Sequence, residues 1–527
     1  MQSQKPVPTQ GTLPEKPNLL FIITDQDRGL MHFPPGWEMQ NLTAMPRLRR
    51  HGITFTRAYC STCMCSPSRA TLFTGTFPPE HGVILTLTQA MTYSDQEPTL
   101  ATDFQNMSRM LTAGGYAVSY IGKWHLSKDT YGGFDNMVPK EMMEYGFAGW
   151  LPPDAGEDVA PEHFGGGRAN RDLAYINQAI NFLYNVQQGN NTEPFALFLS
   201  LVNPHDVLAF PKTWQDDYGP EFLEGDIQLP ETVHEDLSLK PTVQQLLVPY
   251  LAGGLGPLPT DEMKRQYLNF YANLIKHTDA QINTVLDVLY QVYDTKTGRS
   301  LADTTLVVRT ADHGEMGMTH HGMRQKIFNA YEETMSVPLV ISNPVLFSEP
   351  AVSDQFFSLV DMMPTIDGFL KLGNPLGYTF RGCDLSPVIR HPRMSEPVQD
   401  AILFTFDDFR AGNGNAINPL PAANRIRCIR EERWKYAYYF YIAPPEQDPP
   451  QSYPREYEMY DLEHDPLETN NLANPANPLY NDKLIAAERE RLHQKLLTLE
   501  AQKLGAMAMA EDVGAAIDQR QPASSAQ

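Results

Sequence analysis

The 527-residue chain has only five cysteines, an odd and low count that argues against a framework of disulfide bonds. It also has no apolar run long enough to span a bilayer. The first residues, MQSQKPVPTQGTLPEKPN, lack the apolar stretch that a secretory signal peptide needs. From these absences we expect a cytoplasmic protein that does not associate with membranes.

Basic residues are scarce as well. The chain has 41 lysines and arginines against 63 acidic residues, and its net charge is -22. Nucleic acid is therefore not expected as a partner, because phosphate binding needs a basic surface. A small anionic substrate is still allowed, since a few local lysines and arginines can make one pocket positive. We find no internal repeat, and nothing in the sequence indicates an oligomeric state.

Four apolar runs are present, and each ends in a cluster of polar residues. They are NLLFIITDQDR, ending at Asp25 and Gln26; YAVSYIGKWHL, ending at Lys123 and His125; PFALFLSLVNPHD, ending at His205; and TTLVVRTADHGE, ending at Asp312 and His313. Short runs without polar alternation predict strands that are buried on both faces of a parallel sheet. Ligands bind beyond the carboxyl ends of such strands, so we expect the four clusters to converge on one site.

Amphipathic patterns between the runs predict helices over residues 172–186 and 261–292. Alternating strands and helices predict an α/β fold, with a mostly parallel sheet flanked by helices. After about residue 385 the pattern changes to that of a smaller antiparallel sheet, closed by a helix over residues 482–506. The predicted organisation is a tail (1–17), a catalytic domain (18–385), a C-terminal α+β subdomain (386–506) and a second tail (507–527).

Three of the five cysteines, Cys60, Cys63 and Cys65, lie within six positions. A zinc site would need a second ligand pair that the chain does not provide nearby. A redox pair of Cys60 and Cys63 is a second interpretation. The third is a nucleophile at a strand-to-helix turn, with Ser66 as the helix N-cap. The free backbone N–H groups there would attract an anion, and Arg69, about one turn further on, would help to neutralise it.

The stretch CSPSRATLFTG from Cys65 to Gly75 resembles the signature of the type I sulfatases, which belong to the alkaline phosphatase superfamily. The resemblance continues in TDQ, GKWHL, NPHD, TADHGE, SLVDMMPT and YDLEHDPLETNNLA, over about residues 18–475. It implies an alkaline phosphatase-like fold and hydrolysis of a small-molecule sulfate ester, of the arylsulfatase type. It also implies that the formylglycine-generating enzyme oxidises Cys65 to formylglycine, the nucleophile, and leaves Cys60 and Cys63 as small buried side chains.

The resemblance further implies one divalent cation. Its ligands would be Asp25, Gln26, the modified Cys65, Asp312 and His313. A site rich in oxygen favours calcium. Gln26 stands where many family members have a second aspartate, and His313 adds a nitrogen, so Mn²⁺ and Mg²⁺ also suit the site.

Around the sulfate group, the resemblance places Arg69, Lys123, His125, His205 and Lys326. Lys123, Arg69 and Lys326 would stabilise charge on the sulfuryl oxygens. His205 or Lys326 would protonate the leaving alcohol, and His125 would take a proton from the formylglycine hydrate. Arg324 is a rival to Lys326 in the same segment.

Two other functions are open at this point. Phosphonate monoester and phosphodiester hydrolases also use formylglycine and share the Asp-Gln and Asp-His motifs. A non-catalytic binding protein on the same scaffold is the third hypothesis. Residues 149–172 and the loop over about 206–258 are long and irregular, so we expect them to determine substrate preference. Gly165–Gly167 are predicted to form a tight turn at the mouth of the pocket.

Overall fold

Two β-sheets organise the protein in the computed structural model, which describes residues 12–29, 32–157, 170–187, 193–213, 227–294, 298–447 and 449–504. The strands are β1 (Asn18–Asp25), β2 (Gly52–Tyr59), β3 (Thr62–Cys63), β4 (Ala117–Gly122), β5 (Phe195–Pro204), β6 (Thr305–Ala311), β7 (Leu339–Ser342), β8 (Ala351–Ser358), β9 (Ala401–Phe406), β10 (Arg425–Glu431), β11 (Trp434–Phe440) and β12 (Glu456–Asp461).

The α-helices of the described residues range from single turns to 31 residues. They are α1 (Trp37–Asn41), α2 (Ala44–Arg50), α3 (Cys65–Thr74), α4 (Pro78–His81), α5 (Met107–Ala113), α6 (Pro139–Glu144), α7 (Asn170–Gln187), α8 (Thr242–Leu255), α9 (Asp261–Gln291), α10 (Leu301–Thr304), α11 (Thr319–Gly322), α12 (Glu332–Met335), α13 (Met362–Leu370), α14 (Ser386–Arg390) and α15 (Lys483–Lys503). None of them is long and apolar enough to cross a membrane.

The larger sheet has seven strands in the order β4-β5-β1-β6-β7-β2-β8. β4, β5, β1 and β6 are adjacent and parallel, whereas β7 runs antiparallel to both β6 and β2. The four strands that the apolar runs predict are therefore neighbours that point the same way. The mostly parallel α/β sheet is confirmed, and the carboxyl ends of all four strands lie at one edge.

Both faces of this sheet are covered by helices, which explains why its strands are apolar without alternation. In β1, Phe21 and Ile23 belong to one apolar cluster, and Leu20 and Ile22, whose side chains point to the other face, belong to a second. The first cluster includes Phe73 of α3, Met110 of α5 and Phe369 of α13, and the second includes Leu183 of α7 and Tyr271 of α9. The predicted helices over 172–186 and 261–292 are thus α7 and α9.

The smaller sheet has the order β12-β11-β10-β9-β3. β9 to β12 are antiparallel, and α15 packs on one face through Leu492 and Leu496. The side chain of Asp482 accepts hydrogen bonds from two backbone N–H groups at the start of α15, so the predicted closing helix is capped where the sequence indicates. The short β3 pairs parallel with β9, which joins this sheet to the segment leading into Cys65. The sequence did not predict that junction.

Part of the predicted N-terminal tail lies among the described residues and makes contacts. Lys16 Nζ donates to the carbonyl of Gly114 at 2.8 Å, and Arg299 donates to the carbonyl of Thr12 at 2.8 Å. Residues 1–11, the predicted tail 507–527 and the predicted turn at Gly165–Gly167 lie outside the described residues.

The aromatic contacts behind the parallel strands predict a large stability effect for Phe198→Ala. The Phe198 ring stacks on Phe21 at 4.5 Å between centroids and meets Phe73 at 5.6 Å. Removing it leaves a cavity between the sheet and α3 and should cost about 3–5 kcal/mol of unfolding free energy. Urea unfolding followed by fluorescence measures the loss. Leu484→Ala, at a side chain that is 81% exposed, is the matched control; equal urea midpoints for the two variants would contradict this packing.

Candidate active site

The carboxyl edge of the parallel strands gathers the predicted polar residues. Asp25 is the last residue of β1, Lys123 follows β4, His205 follows β5 and Asp312 follows β6. All of these side chains are buried. Lys123 Nζ lies 2.7 Å from Asp25 Oδ2, so the ends of β4 and β1 are joined by a buried ion pair. The strand topology thus brings together residues that are as far as 287 positions apart in the sequence.

Cys65 opens α3 and faces this edge. The helix begins at Cys65 with Met64 at the N-cap, so the prediction of Ser66 as the cap is wrong. The helix starts two residues earlier than expected, and Ser66 Oγ instead accepts a hydrogen bond from the Leu87 N–H at 3.2 Å. Cys65 Sγ lies 3.2 Å from His313 Nε2 and 3.6 Å from Asp25 Oδ1. Burial and the carboxylate of Asp25 raise the pKa of the Cys65 thiol, so an unmodified thiol stays protonated here.

The other two cysteines of the motif lie beside this site. Cys60 Sγ lies 3.7 Å from Cys63 Sγ, and both thiols are buried and free. Cys60 also contacts the carbonyl of Thr334. Both cysteines belong to the apolar cluster on the α3 face of the sheet, as expected for small buried side chains.

Four side chains form a group with the chemistry of a cation site. Asp25, Cys65, Asp312 and His313 each place one ligand atom within 4.8 Å of the others. His313 Nδ1 donates to the carbonyl of Gly314 at 3.0 Å, which leaves the lone pair of Nε2 directed at the group. Burial and Lys326 lower the pKa of His313, so the ring is neutral. Burial and the Asp25 carboxylate raise the pKa of Asp312 to about 8. A divalent cation between the two carboxylates would offset their repulsion and stabilise both in the ionised form.

Gln26 lies next to this group and is tied to two charged side chains. Its Oε1 accepts a hydrogen bond from Lys326 Nζ at 2.8 Å, and its Nε2 donates to Glu315 Oε2 at 2.5 Å. These two partners determine which end of the amide is oxygen. The backbone of Gln26 has φ = 62°, a value that non-glycine residues rarely adopt and that marks this strand end as strained. Direct ligation of a cation by Gln26 stays a prediction.

Arg69 is buried below the site, where all three of its guanidinium nitrogens contact protein atoms. Nε donates to the carbonyl of Trp124 at 3.0 Å, and the second terminal nitrogen contacts the hydroxyl of Tyr120, the hydroxyl of Ser200 and the carbonyl of Lys123. The first terminal nitrogen lies 3.4 Å from Asp312 Oδ2. This geometry joins α3, the loop after β4 and the end of β6. The predicted contact of Arg69 with the sulfuryl oxygens stays a prediction.

His125 and His205 occupy the other side of Cys65. His125 Nε2 contacts the carbonyl of Leu87 at 2.8 Å, and the N–H groups of Trp124 and His125 both donate to Asp154. Within the part of the chain that the structure describes, His125 Nδ1 and both ring nitrogens of His205 have no hydrogen-bond partner, and neither does Lys123 Nζ apart from its ion pair. Buried polar atoms without partners indicate a site for a polar ligand.

Lys326 and Arg324, the two rivals of the sequence analysis, are in different places. Lys326 Nζ donates to Gln26, which lies next to the group of Asp25, Cys65, Asp312 and His313. Arg324 donates to the carbonyls of Phe210, Leu251 and Gly256. It so supports the segment over about 206–258, which is predicted to shape the pocket but contains α8 and is therefore not all loop. The geometry therefore favours Lys326 as the cation at the site.

Glu157 is a residue that the sequence analysis did not identify. One carboxylate oxygen lies 3.8 Å from His125 Nδ1, and the other lies 3.6 Å from His205 Nε2. Its nearest oxygen, an atom of His125 and Cys65 Sγ are all within 4.8 Å of one another. Burial raises the pKa of Glu157, but the contacts with His205, His125 and Lys123 hold it well below its usual range. An anion thus lies where the sulfate group of a substrate is expected, and no motif in the loop around Glu157 signals it.

Comparisons with known proteins decide the family. The family model "Sulfatase" matches residues 17–371, and the model "N-sulphoglucosamine sulphohydrolase, C-terminal" matches residues 319–502. The chain belongs to the sulfatase family. It is a sulfuric ester hydrolase, and formylglycine and a metal ion are general features of this family.

Relatives of the sulfatase cover most of its length. It is 24% identical over 497 residues to the uncharacterized sulfatase YidJ of Escherichia coli, covering 92% of this chain and 87% of the relative. It is 26% identical over 494 residues to the choline-sulfatase of Rhizobium meliloti, covering 89% and 85%. A solved 2-O GAG sulfatase superposes with a TM-score of 0.66 at 20% identity over 92% of this chain and 93% of that one. The phosphonate monoester hydrolase of Agrobacterium radiobacter superposes with a TM-score of 0.64 at 22% identity, over 93% of this chain and 96% of that one. At these identities the structures confirm the alkaline phosphatase-like fold.

The position of Glu157 predicts that Glu157→Gln tightens the binding of inorganic sulfate. The carboxylate contacts the two histidines that an incoming anion would contact, and it repels that anion. Because Glu157 is partly exposed, we expect the affinity for sulfate to rise only roughly tenfold in the variant. The change in affinity is measured as the inhibition constant of inorganic sulfate in the hydrolysis of nitrophenyl sulfate. Glu144→Gln, at an exposed position in α6, should change nothing. An unchanged inhibition constant with a lower kcat would show that Glu157 supports the histidines instead of competing with the anion.

Proposed function

We propose that this sulfatase hydrolyses sulfate esters with a nucleophile made from Cys65. The single observation that supports this most is the ring of buried donors around Cys65. Among the described residues, His125 Nδ1 and the ring nitrogens of His205 have no hydrogen-bond partner, Lys123 Nζ has only its ion pair with Asp25, and Lys326 lies beside them. The oxygens of a tetrahedral oxyanion would accept hydrogen bonds from the lysines and from His205, and its sulfur would then face the side chain of residue 65.

The protein context favours a modified Cys65 over a thiolate. The thiol is fully buried, and its pKa is raised by burial and by Asp25. A thiolate is therefore disfavoured at the position where a nucleophile is needed. The CSPSR motif resembles the recognition sequence for conversion to formylglycine, and we infer that the formylglycine-generating enzyme acts on this chain before it is active.

We assign the cation to Asp25, Asp312, His313 and the modified residue 65, with Gln26 beside them. Two buried carboxylates and a neutral imidazole nitrogen fit a divalent cation, and the oxygen-rich set favours Ca²⁺ over Mn²⁺ or Mg²⁺. When bound, the cation supplies Lewis-acid stabilisation of negative charge and makes a nearby hydroxyl more acidic.

The chain's own residues divide the remaining work. Lys123 and Lys326 lie where they would hold the sulfuryl oxygens, and Arg69 keeps Asp312 and the loop after β4 in position. His205 or Lys326 carries the proton that passes to the leaving alcohol. His125, held through the carbonyl of Leu87, has Nδ1 free to take up a proton from the residue-65 adduct.

Phosphonate monoester hydrolysis is the competing function. The fold of this sulfatase superposes on two phosphonate monoester hydrolases, with TM-scores of 0.64 and 0.62. Sulfate and phosphonate esters share a tetrahedral oxyanion, so the donors described above suit both. We favour sulfate because the family model that spans the catalytic part is that of the sulfatases.

Conversion of Cys65 is the first test of this mechanism. Mass spectrometry of the peptide that carries Cys65, from protein made in its native host, should give the mass of the aldehyde or its hydrate. Cys65→Ala should lower kcat/KM for an aryl sulfate at least about 10³-fold, and the wild type should prefer aryl sulfate to aryl phosphonate. Cys60→Ala, in the same motif, should retain most activity. An unmodified thiol in fully active protein would overturn the proposal.

Removal of the cation should abolish hydrolysis, because the buried carboxylates of Asp25 and Asp312 would then repel each other and the anionic substrate. We expect activity to be lost in chelator and to return with Ca²⁺ more fully than with Mn²⁺ or Mg²⁺. Elemental analysis of the same samples provides the control. Full activity in protein shown to be free of metal would contradict the assignment.

A further inference from the structure

Two buried carboxylates in residues 149–172, the segment predicted to determine substrate preference, contact the backbone that carries the two histidines of the site. They are Asp154 and Asp172, which are 1% and 0% exposed. The sequence analysis assigned neither of them to the site. Each carboxylate accepts hydrogen bonds from two successive backbone N–H groups, and the two segments held in this way lie at the ends of the neighbouring parallel strands β4 and β5.

Asp154 holds the turn after β4. Its Oδ1 accepts the N–H of Trp124 at 2.9 Å, and its Oδ2 accepts the N–H of His125 at 2.7 Å. His125 has φ = 57°, a left-handed backbone that residues other than glycine rarely adopt. Two successive N–H groups that converge on one anion stabilise a turn of this kind. The carboxylate therefore opposes relaxation of the backbone that carries the His125 ring.

The ring of His125 is directed by this backbone and by a contact of its own. Nε2 lies 2.8 Å from the carbonyl of Leu87, so Nε2 carries the proton and Nδ1 presents a lone pair. Nδ1 has no hydrogen-bond partner among the described residues. A proton acceptor needs this tautomer. A change of φ at His125 would move the ring away from Leu87 and would no longer select it.

Asp172 holds the end of β5 in the same manner. The register between β1 and β5 shifts there, since Ser200 and Pro204 face β1 residues only two positions apart. Such a bulge takes backbone groups out of the hydrogen-bond ladder. The N–H groups of Val202 and Asn203 donate to Asp172 Oδ1 and Oδ2, at 2.7 and 3.0 Å. The carboxylate therefore replaces the ladder partners that this part of the strand lacks.

His205 depends on that segment for its position. It directly follows Pro204, and neither of its ring nitrogens has a hydrogen-bond partner among the described residues. The side chain of Asn203 donates to Asp172 Oδ2 and to Asp206 Oδ2, both at 2.9 Å. These contacts fix the chain on both sides of His205, whereas hydrogen bonds from the described protein leave its ring free.

We propose that Asp154 is a positioning residue for His125, and that Asp172 is the corresponding residue for His205. Each acts through the backbone and does not touch the substrate. This inference rests on the proposed function, in which His125 takes a proton from the residue-65 adduct and His205 or Lys326 protonates the leaving alcohol. The segment that carries both carboxylates thus fixes the catalytic histidines as well as shaping the pocket.

Steady-state and rapid-mixing kinetics of Asp154→Asn test the first assignment. Asparagine keeps the shape of the side chain but turns an NH₂ group towards a backbone N–H. Because His125 acts after the alcohol has left, kcat for nitrophenyl sulfate should fall at least about tenfold and KM should fall with it, so that kcat/KM stays within about twofold of the wild type. A rapid first release of nitrophenol should precede the slow steady state. Unchanged kinetics, or a lower kcat/KM without that first release, would overturn the assignment.

The dependence on the leaving group tests the second assignment in Asp172→Asn. A phenolate needs protonation as it leaves more than a nitrophenolate does. We expect kcat/KM to fall at least about fivefold more for phenyl sulfate than for nitrophenyl sulfate. Equal losses for the two substrates would show that Asp172 does not act through the proton donor.

Hydrogen exchange measured by mass spectrometry gives a readout that does not depend on activity. In the wild type, the N–H groups of residues 124–125 and 202–203 should exchange as slowly as those of β1. Asp154→Asn should speed up exchange in the first pair alone, and Asp172→Asn in the second pair alone. Fast exchange of these groups in the wild type would overturn the proposal even if a variant fails to fold.

Asp279→Asn is the matched control. Asp279 is also buried and also accepts successive backbone N–H groups, those of Ala44 at 2.8 Å and Met45 at 2.9 Å, at the start of α2. The variant should lower the urea midpoint and keep the kinetic constants of the wild type. If it reproduces the kinetic changes, they reflect a general loss of stability and the inference fails. Absence of aryl sulfate hydrolysis in the wild type would instead contradict the proposed function, so the two failures are distinct.

Discussion

Buried charge at the carboxyl edge of four parallel strands is the constraint on which the rest of this structure depends. Asp25 ends β1 and Asp312 directly follows the adjacent β6, so their buried carboxylates lie close together. Lys123 and Arg69 each contact one of them, at 2.7 and 3.4 Å. The pKa of Asp312 is nevertheless raised to about 8, so protein cations alone do not balance the pair. A divalent cation held between them would complete the balance.

The same constraint explains how α3 and its first residue are held. The guanidinium of Arg69, one turn into α3, reaches the loop after β4 and the end of β6 at once. Ser68 Oγ adds a hydrogen bond to the carbonyl of Asp312 at 2.5 Å. The helix that begins at Cys65 is therefore tied to two strand ends by its own side chains. Its N-terminus, the natural site for an anion, is held against the acidic group and the lysines.

Much of this arrangement can be predicted from the sequence, because it rests on local patterns. Apolar runs without alternation predict β1, β4, β5 and β6, and the polar residues that end them predict one shared edge. Other features have no local signal. Glu157 is one acidic residue in an irregular loop, and only the folded chain brings it to His125 and His205. The pairing of β3 with β9 joins residues more than 340 positions apart through two residues of strand. The helix start at Cys65 was predicted two residues late, because Ser66 is a good cap by residue type but contacts Leu87 instead.

By itself the sequence determined the family, the fold class and the identity of the residues at the strand ends, since each follows from short motifs and from the periodicity of apolar residues. Only the tertiary structure decided which donors are still free for a ligand and which are taken by the protein. Arg69 and Lys123 are both basic residues in matching motifs, yet Arg69 is saturated by carbonyls and hydroxyls while Lys123 makes a single ion pair. The physical reason is that hydrogen bonds and burial depend on contacts between distant segments, which residue type and spacing along the chain do not specify.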